Sequence, residues 1–115
     1  MSDILAIGDM LHIGSRRRFS ADTHVHFAGE VTAVEPPLFR IVGYLFVYDP
    51  VSNTYFKHPD LRTRLFTVSD SARDITLLPR KVEMKSLQFE MVEGRLLLVD
   101  AKGFSLEVGE FGGEG

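Results

Sequence analysis

Leu87-Gln88-Phe89-Glu90-Met91 alternates apolar and polar residues, Glu93-Gly94 follows, and Arg95-Leu96-Leu97-Leu98-Val99 returns. Asp100-Ala101-Lys102-Gly103 then turns the chain into Phe104-Ser105-Leu106-Glu107-Val108. A period of two places successive side chains on opposite faces of an extended chain. The stretch therefore reads as a three-strand antiparallel meander, with Glu93-Gly94 as its tight turn.

The same period runs upstream. From Thr23, residues Val25, Phe27, Gly29, Val31 and Ala33 fall on one side, and His24, His26, Glu30 and Thr32 on the other. Gly29 in mid-strand predicts a bend or bulge there. Glu35-Pro36-Pro37 cannot continue a ladder and reads as a turn. Leu38 to Tyr48 is rich in β-branched and aromatic residues on both faces, the pattern of a central strand. After the turn cluster Asp49-Pro50-Val51-Ser52-Asn53, Thr54 to Lys57 reads as its hairpin partner. Arg62 to Val68 and Asp74 to Leu78 are further strands, separated by Ser69-Asp70-Ser71, and Pro79 stops the second. The whole predicts an all-β fold, a small antiparallel barrel or sandwich of about seven to nine short strands. Connections this short exclude parallel crossovers.

Before the strands, Ile4, Ile7, Met10 and Leu11 recur at helical spacing with Ser2 or Asp3 as cap, which predicts a short N-terminal helix or an irregular arm. The expected organisation is an arm and basic link (Arg16-Arg17-Arg18) over 1–22, a β domain over 23–109, and a loose Gly-rich tail over 110–115.

The 115 residues suffice for one domain, and 44% apolar with 25% charged residues is ordinary globular composition. With no cysteine, neither a disulfide nor a thiolate enters the chemistry. No stretch approaches the ~20 apolar residues of a membrane span. The first residues carry acid where a secretory leader carries base, so a cytoplasmic protein is expected. The net charge of −3 is uneven: Met1 to Phe89 hold 11 basic and 10 acidic residues, Glu90 to Gly115 six acids against Arg95 and Lys102. That acidic quarter disfavours broad nucleic-acid binding.

Three motifs suggest chemistry. Asp22-Thr23-His24-Val25-His26 resembles the metal-binding strand of amidohydrolases, but that family's barrel takes ~250 residues, with a helix after every strand. His24-Val25-His26-Phe27-Ala28-Gly29-Glu30 is similar to the first motif of the cupins, His-x-His-x₃-Glu. That resemblance implies a divalent-metal site, Fe(II), Mn(II) or Zn(II), on His24, His26 and Glu30, with His58 as a fourth ligand. Arg18 stands where the family has glycine, and its second motif is not recognisable. The plainer reading of these residues is a solvent-facing polar stripe. Gly43-Tyr44-Leu45-Phe46-Val47 resembles the RNP1 strand of RNA-recognition motifs, with Val42, Leu45 and Asp49 departing from it. An OB-like barrel remains open, in which Arg40, Tyr44, Phe46 and Tyr48 form a single-strand-binding face. The competing reading is core packing. Arg62 and Arg64 share a strand face and form either an anion fork or cross-strand pairs with carboxylates. No Ser or Thr has a base at recognisable spacing.

These readings favour a binding module over an enzyme. Many strands and a modest core leave edges to cover, so a homo-oligomer that also contacts a protein partner is expected.

Overall fold

The computed structural model describes residues 5–15, 25–67 and 73–108. The basic link, Ser69-Asp70-Ser71, the C-terminal tail and His24 lie outside them. Among the described residues, nine strands follow one another: β1 (Met10–Ser15), β2 (Val25–Glu35), β3 (Leu38–Asp49), β4 (Thr54–Lys57), β5 (Arg62–Thr67), β6 (Arg73–Leu78), β7 (Gln88–Val92), β8 (Arg95–Val99) and β9 (Ser105–Val108). The all-β, antiparallel reading holds. Six strands form one sheet in the order β4-β3-β2-β1-β6, with β5 also on β3, and β7-β8-β9 form a second. Among the described residues these sheets do not close into a barrel.

The central strand is where the sequence places it. β3 pairs along its length with β2, while its other side is shared by β5 over Leu38–Gly43 and β4 over Phe46–Asp49. Period two sorts the large sheet's side chains into two cores. One face carries Leu11, Ile13, Phe27, Val31, Phe39, Ile41, Leu45 and Phe66. The other carries Ala28, Tyr44, Phe46 and Leu78, and packs on Leu87, Phe89, Leu98 and Leu106 of the small sheet and its approach. Both faces of β3 are buried, which is why neither reads as polar.

Two sequence expectations need correction. Residues 10–15 are not helical; they form β1, hydrogen-bonded between β2 and β6. Leu11 and Ile13 alternate with His12 and Gly14, and burial of that pair against two strands outweighs the weaker i, i+3 pattern. Among the described residues, helical structure is limited to one 3₁₀ turn, Met84–Ser86. The bulge, too, is not at Gly29. Register shifts between Val31 and Ala33, leaving Thr32 as the extra residue. Gly29 instead faces Gly43, and a Cβ at 29 would lie 2.5 Å from the Val42 carbonyl oxygen and 2.6 Å from Ile41 Cγ2. The glycine pair permits a close approach of β2 and β3.

The approach to β1 and the segment after β6 are tied together by charge. Asp9 accepts the Ala6 N–H at 2.8 Å and two bonds from Arg80, Nη2 at 2.9 Å and Nε at 3.2 Å. The Ala6 N–H, then Arg80, hold its carboxyl below the ordinary range, against an opposing contribution from burial.

Candidate interaction surface

The histidine motif of β2 lands inside the protein. His26 is 4% exposed, and its partner is His12 of β1, also 4% exposed. His12 Nε2 and His26 Nδ1 are 2.9 Å apart and share a hydrogen bond, one ring donating and the other accepting. The rings lie diagonally across the ladder, since the direct partners are His12–Ala28 and Gly14–His26. Gly14 leaves room beside the ring: a Cβ there would lie 3.1 Å from His26 Nδ1, a tight contact. Phe89 of β7 covers both rings, at 6.0 Å from His12 and 4.8 Å from His26, and Tyr55 of β4 stands 5.3 Å from His26. Burial lowers the pKa of His12 from 6.5 to about 4, with a smaller, opposing influence from the Asp74 charge. At neutral pH His12 is a neutral core residue. The polar stripe expected on this face is thus, at His26, a packed joint between the two sheets.

The remaining ligands of the cupin-like set are elsewhere. Glu30 is exposed, four residues along β2 from His26, and pairs with Met10 and Val42. His58 follows β4, donates its backbone N–H to the Leu45 carbonyl, and packs its ring 5.0 Å from Phe56. Among the described residues, no three His, Asp or Glu side chains could hold a metal ion.

The expected base-stacking face is covered at two of its four residues, Tyr44 and Phe46. Tyr44 is 8% and Phe46 1% exposed, the latter against Phe89 with centroids 5.1 Å apart. Tyr48 sits beside Tyr55 and donates its hydroxyl to Asn53. Arg40 is exposed and donates from Nε to Thr32 of the bulge at 3.0 Å. Core packing is the observed role of the aromatic pair at 44 and 46. Arg62 and Arg64 share the opposite face of the sheet, with the Arg64 guanidinium carbon 5.9 Å from the Phe27 ring centre. Neither arginine has a carboxylate partner among the described residues, so the expected cross-strand ion pairs are not formed there.

Sequence reading missed a second joint. Lys57, on β4, donates to three backbone carbonyls at the 3₁₀ turn: Lys85 at 2.7 Å, Leu87 at 2.8 Å and Met84 at 3.4 Å. Its ammonium also lies 4.3 Å from the Tyr44 ring centre, and burial lowers its pKa. Next to this joint, β4 and β7 border a groove of about 320 Å³ lined by Asn53, Thr54, Tyr55, Phe89 to Val92 and Leu96.

The feature most open to a partner is β6. Leu45, Phe27, Ile13 and Ile75 are successive register partners across β3, β2, β1 and β6. The first three are buried, yet Ile75 is 39% exposed, and Leu77, opposite the buried Leu11, is 58% exposed. Among the described residues the apolar row stops at β6, the last strand on that side of the sheet. Among the described residues β6 pairs only with β1. Its middle, Ile75-Thr76-Leu77, carries no proline, charge or bulge, the usual devices that blunt an edge. β6 has charge only at its start, Arg73 and Asp74, whereas β5 and β7 carry it in mid-strand, at Arg64 and Glu90, and β4 and β9 span four residues each.

No protein-family model, curated protein or solved structure matches this chain. Among the described residues, no helix is long and apolar enough to cross a membrane.

Proposed function

We propose that the protein is a homotypic interaction module that assembles by pairing β6 of one copy with β6 of a second, and works by binding, not by catalysis. The interrupted apolar row carries this reading. A two-fold antiparallel pairing centred on Thr76 sets Ile75 opposite the second copy's Leu77 and Leu77 opposite its Ile75, with the two Thr76 residues facing on the other side. Apolar and Thr–Thr cross-strand pairs each stabilise a ladder by roughly 0.2–1 kcal/mol, and a second β6 supplies partners for backbone groups that no strand among the described residues pairs. Both copies contribute the same strand, so the contact closes as a dimer instead of propagating.

Light scattering at ~100 μM protein tests the proposal. The native chain runs as a dimer, and Leu77→Lys, which places a charge at an already exposed position, converts it to a folded monomer. A native chain that is monodisperse as a monomer at that concentration removes the reading.

A further inference from the structure

Side chains, not a ladder, join the two sheets. Among the described residues β7, β8 and β9 pair only with one another. The 3₁₀ turn before them is tied to the same meander. Asp100 accepts the N–H groups of Glu83, Lys102 and Phe104, and Ser86 Oγ accepts that of Ala101. His12 and His26 belong to the large sheet, on β1 and β2, each of which is hydrogen-bonded along both of its sides. Phe89 closes over the two rings from β7 and reaches Phe46 beside them.

The contact at 2.9 Å needs one N–H and one lone pair. An imidazolium carries N–H on both nitrogens. Two of them would therefore set donor against donor, with like charges, at residues only 4% exposed. A single imidazolium keeps the bond but leaves a charge without water beneath Phe89. Among the described residues, the groups facing the pair do not remove that difficulty. From β6 comes Asp74, cross-strand from Gly14, whose charge favours the imidazolium less than burial opposes it. Glu30 of β2 shares the sheet face but lies beyond Ala28 and is exposed. β4 contributes the Tyr55 ring and Lys57, a cation 4.3 Å from the Tyr44 ring centre. On β7, Gln88 and Glu90 alternate away from Phe89. We infer that acid opens this joint: protonation of the histidine pair lifts the β7–β9 meander off the large sheet, which keeps its ladders. Lifting Phe89 hydrates the rings by breaking side-chain packing alone, whereas withdrawing β1 or β2 breaks a ladder on each side. The bonds from Lys57 to the Met84, Lys85 and Leu87 carbonyls tether the near end of the released meander. Opening uncovers Tyr44 and Phe46 on one sheet and Phe89 and Leu98 on the other.

Backbone hydrogen exchange of the full chain, read by NMR at about pH 7 and 4.5 and corrected for the intrinsic pH dependence of exchange, tests the inference. A ring that protonates near pH 4 when covered and near 6.5 when hydrated lowers the protection of β7–β9 amides by about fiftyfold over that interval. Protection there ends at least about tenfold below that of the β2–β3 ladder, because the meander opens while the large sheet stays folded. In His12→Gln the fall shrinks to less than about fivefold. Equal protection in the two sheets at pH 4.5 overturns the inference, since the chain then opens only as a whole. So does a fall that His12→Gln leaves in place, or loss of β1 protection before that of β7. Should the variant not fold, the native chain decides alone, by the fall in β7–β9 and its separation from β2–β3.

Discussion

Acidification bears directly on the buried histidine pair. In the folded chain His12 protonates only near pH 4, whereas an exposed histidine does so near 6.5. Above pH 6.5 the ring is neutral in both states, and its contribution to stability is complete. Below that point the unfolded chain takes up the proton first. Stability then falls with pH by roughly 1.4 kcal/mol per unit, until the folded form protonates as well near pH 4. Over that interval the loss is about 3 kcal/mol, a large part of the ~5–15 kcal/mol that holds a small domain folded. Other groups titrate in the same range, so the informative quantity is a difference between two proteins. Urea unfolding of the native chain and of His12→Gln, followed by far-UV circular dichroism at about pH 7, 6, 5 and 4, gives it. Gln keeps a hydrogen-bonding side chain but cannot gain charge. Between pH 7 and 4 the native chain should lose about 3 kcal/mol more than the variant. Two curves parallel within ~0.5 kcal/mol would mean that His12 is hydrated or already paired with charge, and that the sheets do not meet as described.

The remaining predictions concern packing. Gly43→Ala, whose Cβ would run into the Ala28 carbonyl and Gly29 Cα, should destabilise by more than about 3 kcal/mol or prevent folding, whereas Gly103→Ala, at φ +97° with open space around it, should lose only about 1 kcal/mol; thermal melts of the two variants separate these outcomes. Lys57→Met strips the donor from three carbonyls and should cost about 2 kcal/mol in urea unfolding. Asp9→Asn should cost about 1 kcal/mol at neutral pH. Because the Asp9 pKa is lowered in the fold, the native chain's advantage is present above the ordinary carboxylate range and disappears as pH falls through it, which the same titration detects.

Strands were legible where each turn and its flanking alternation lie close together. Gln88-Phe89-Glu90-Met91, Glu93-Gly94 and the return to Val99 state a hairpin locally, and the structure follows them to within a residue. β1 was not legible in the same way. Its alternation covers only Leu11 to Gly14, and Ile4, Ile7, Met10 and Leu11 imitate a helix face beside it. The signal that could have identified β1 was a pair of apolar residues interleaved with His12 and Gly14, small enough to sit opposite another strand.

The histidines show a second limit. His24, His26 and Glu30 share a strand face in any reading of the sequence, but nothing local says whether that face meets water or another sheet. The answer depends on the β1–β2 register, which brings His12 to His26, and on β7, which brings Phe89 over both. Lys57 likewise finds its acceptors some thirty residues away. Long-range pairings of this kind decide which polar residues become interior joints, and one-dimensional spacing does not contain them.

Assembly through β6 can be tested most directly because the chain has no cysteine. In the two-fold register proposed above, Thr76 of each copy faces Thr76 of the other, within the ~4.4–6.8 Å Cα separation that a disulfide spans. Mild oxidation of Thr76→Cys at ~10 μM should give a covalent dimer within minutes, while Ser52→Cys, on the exposed turn before β4, stays monomeric. Equal cross-linking of the two variants, or none of either, would contradict the pairing of β6 with its counterpart.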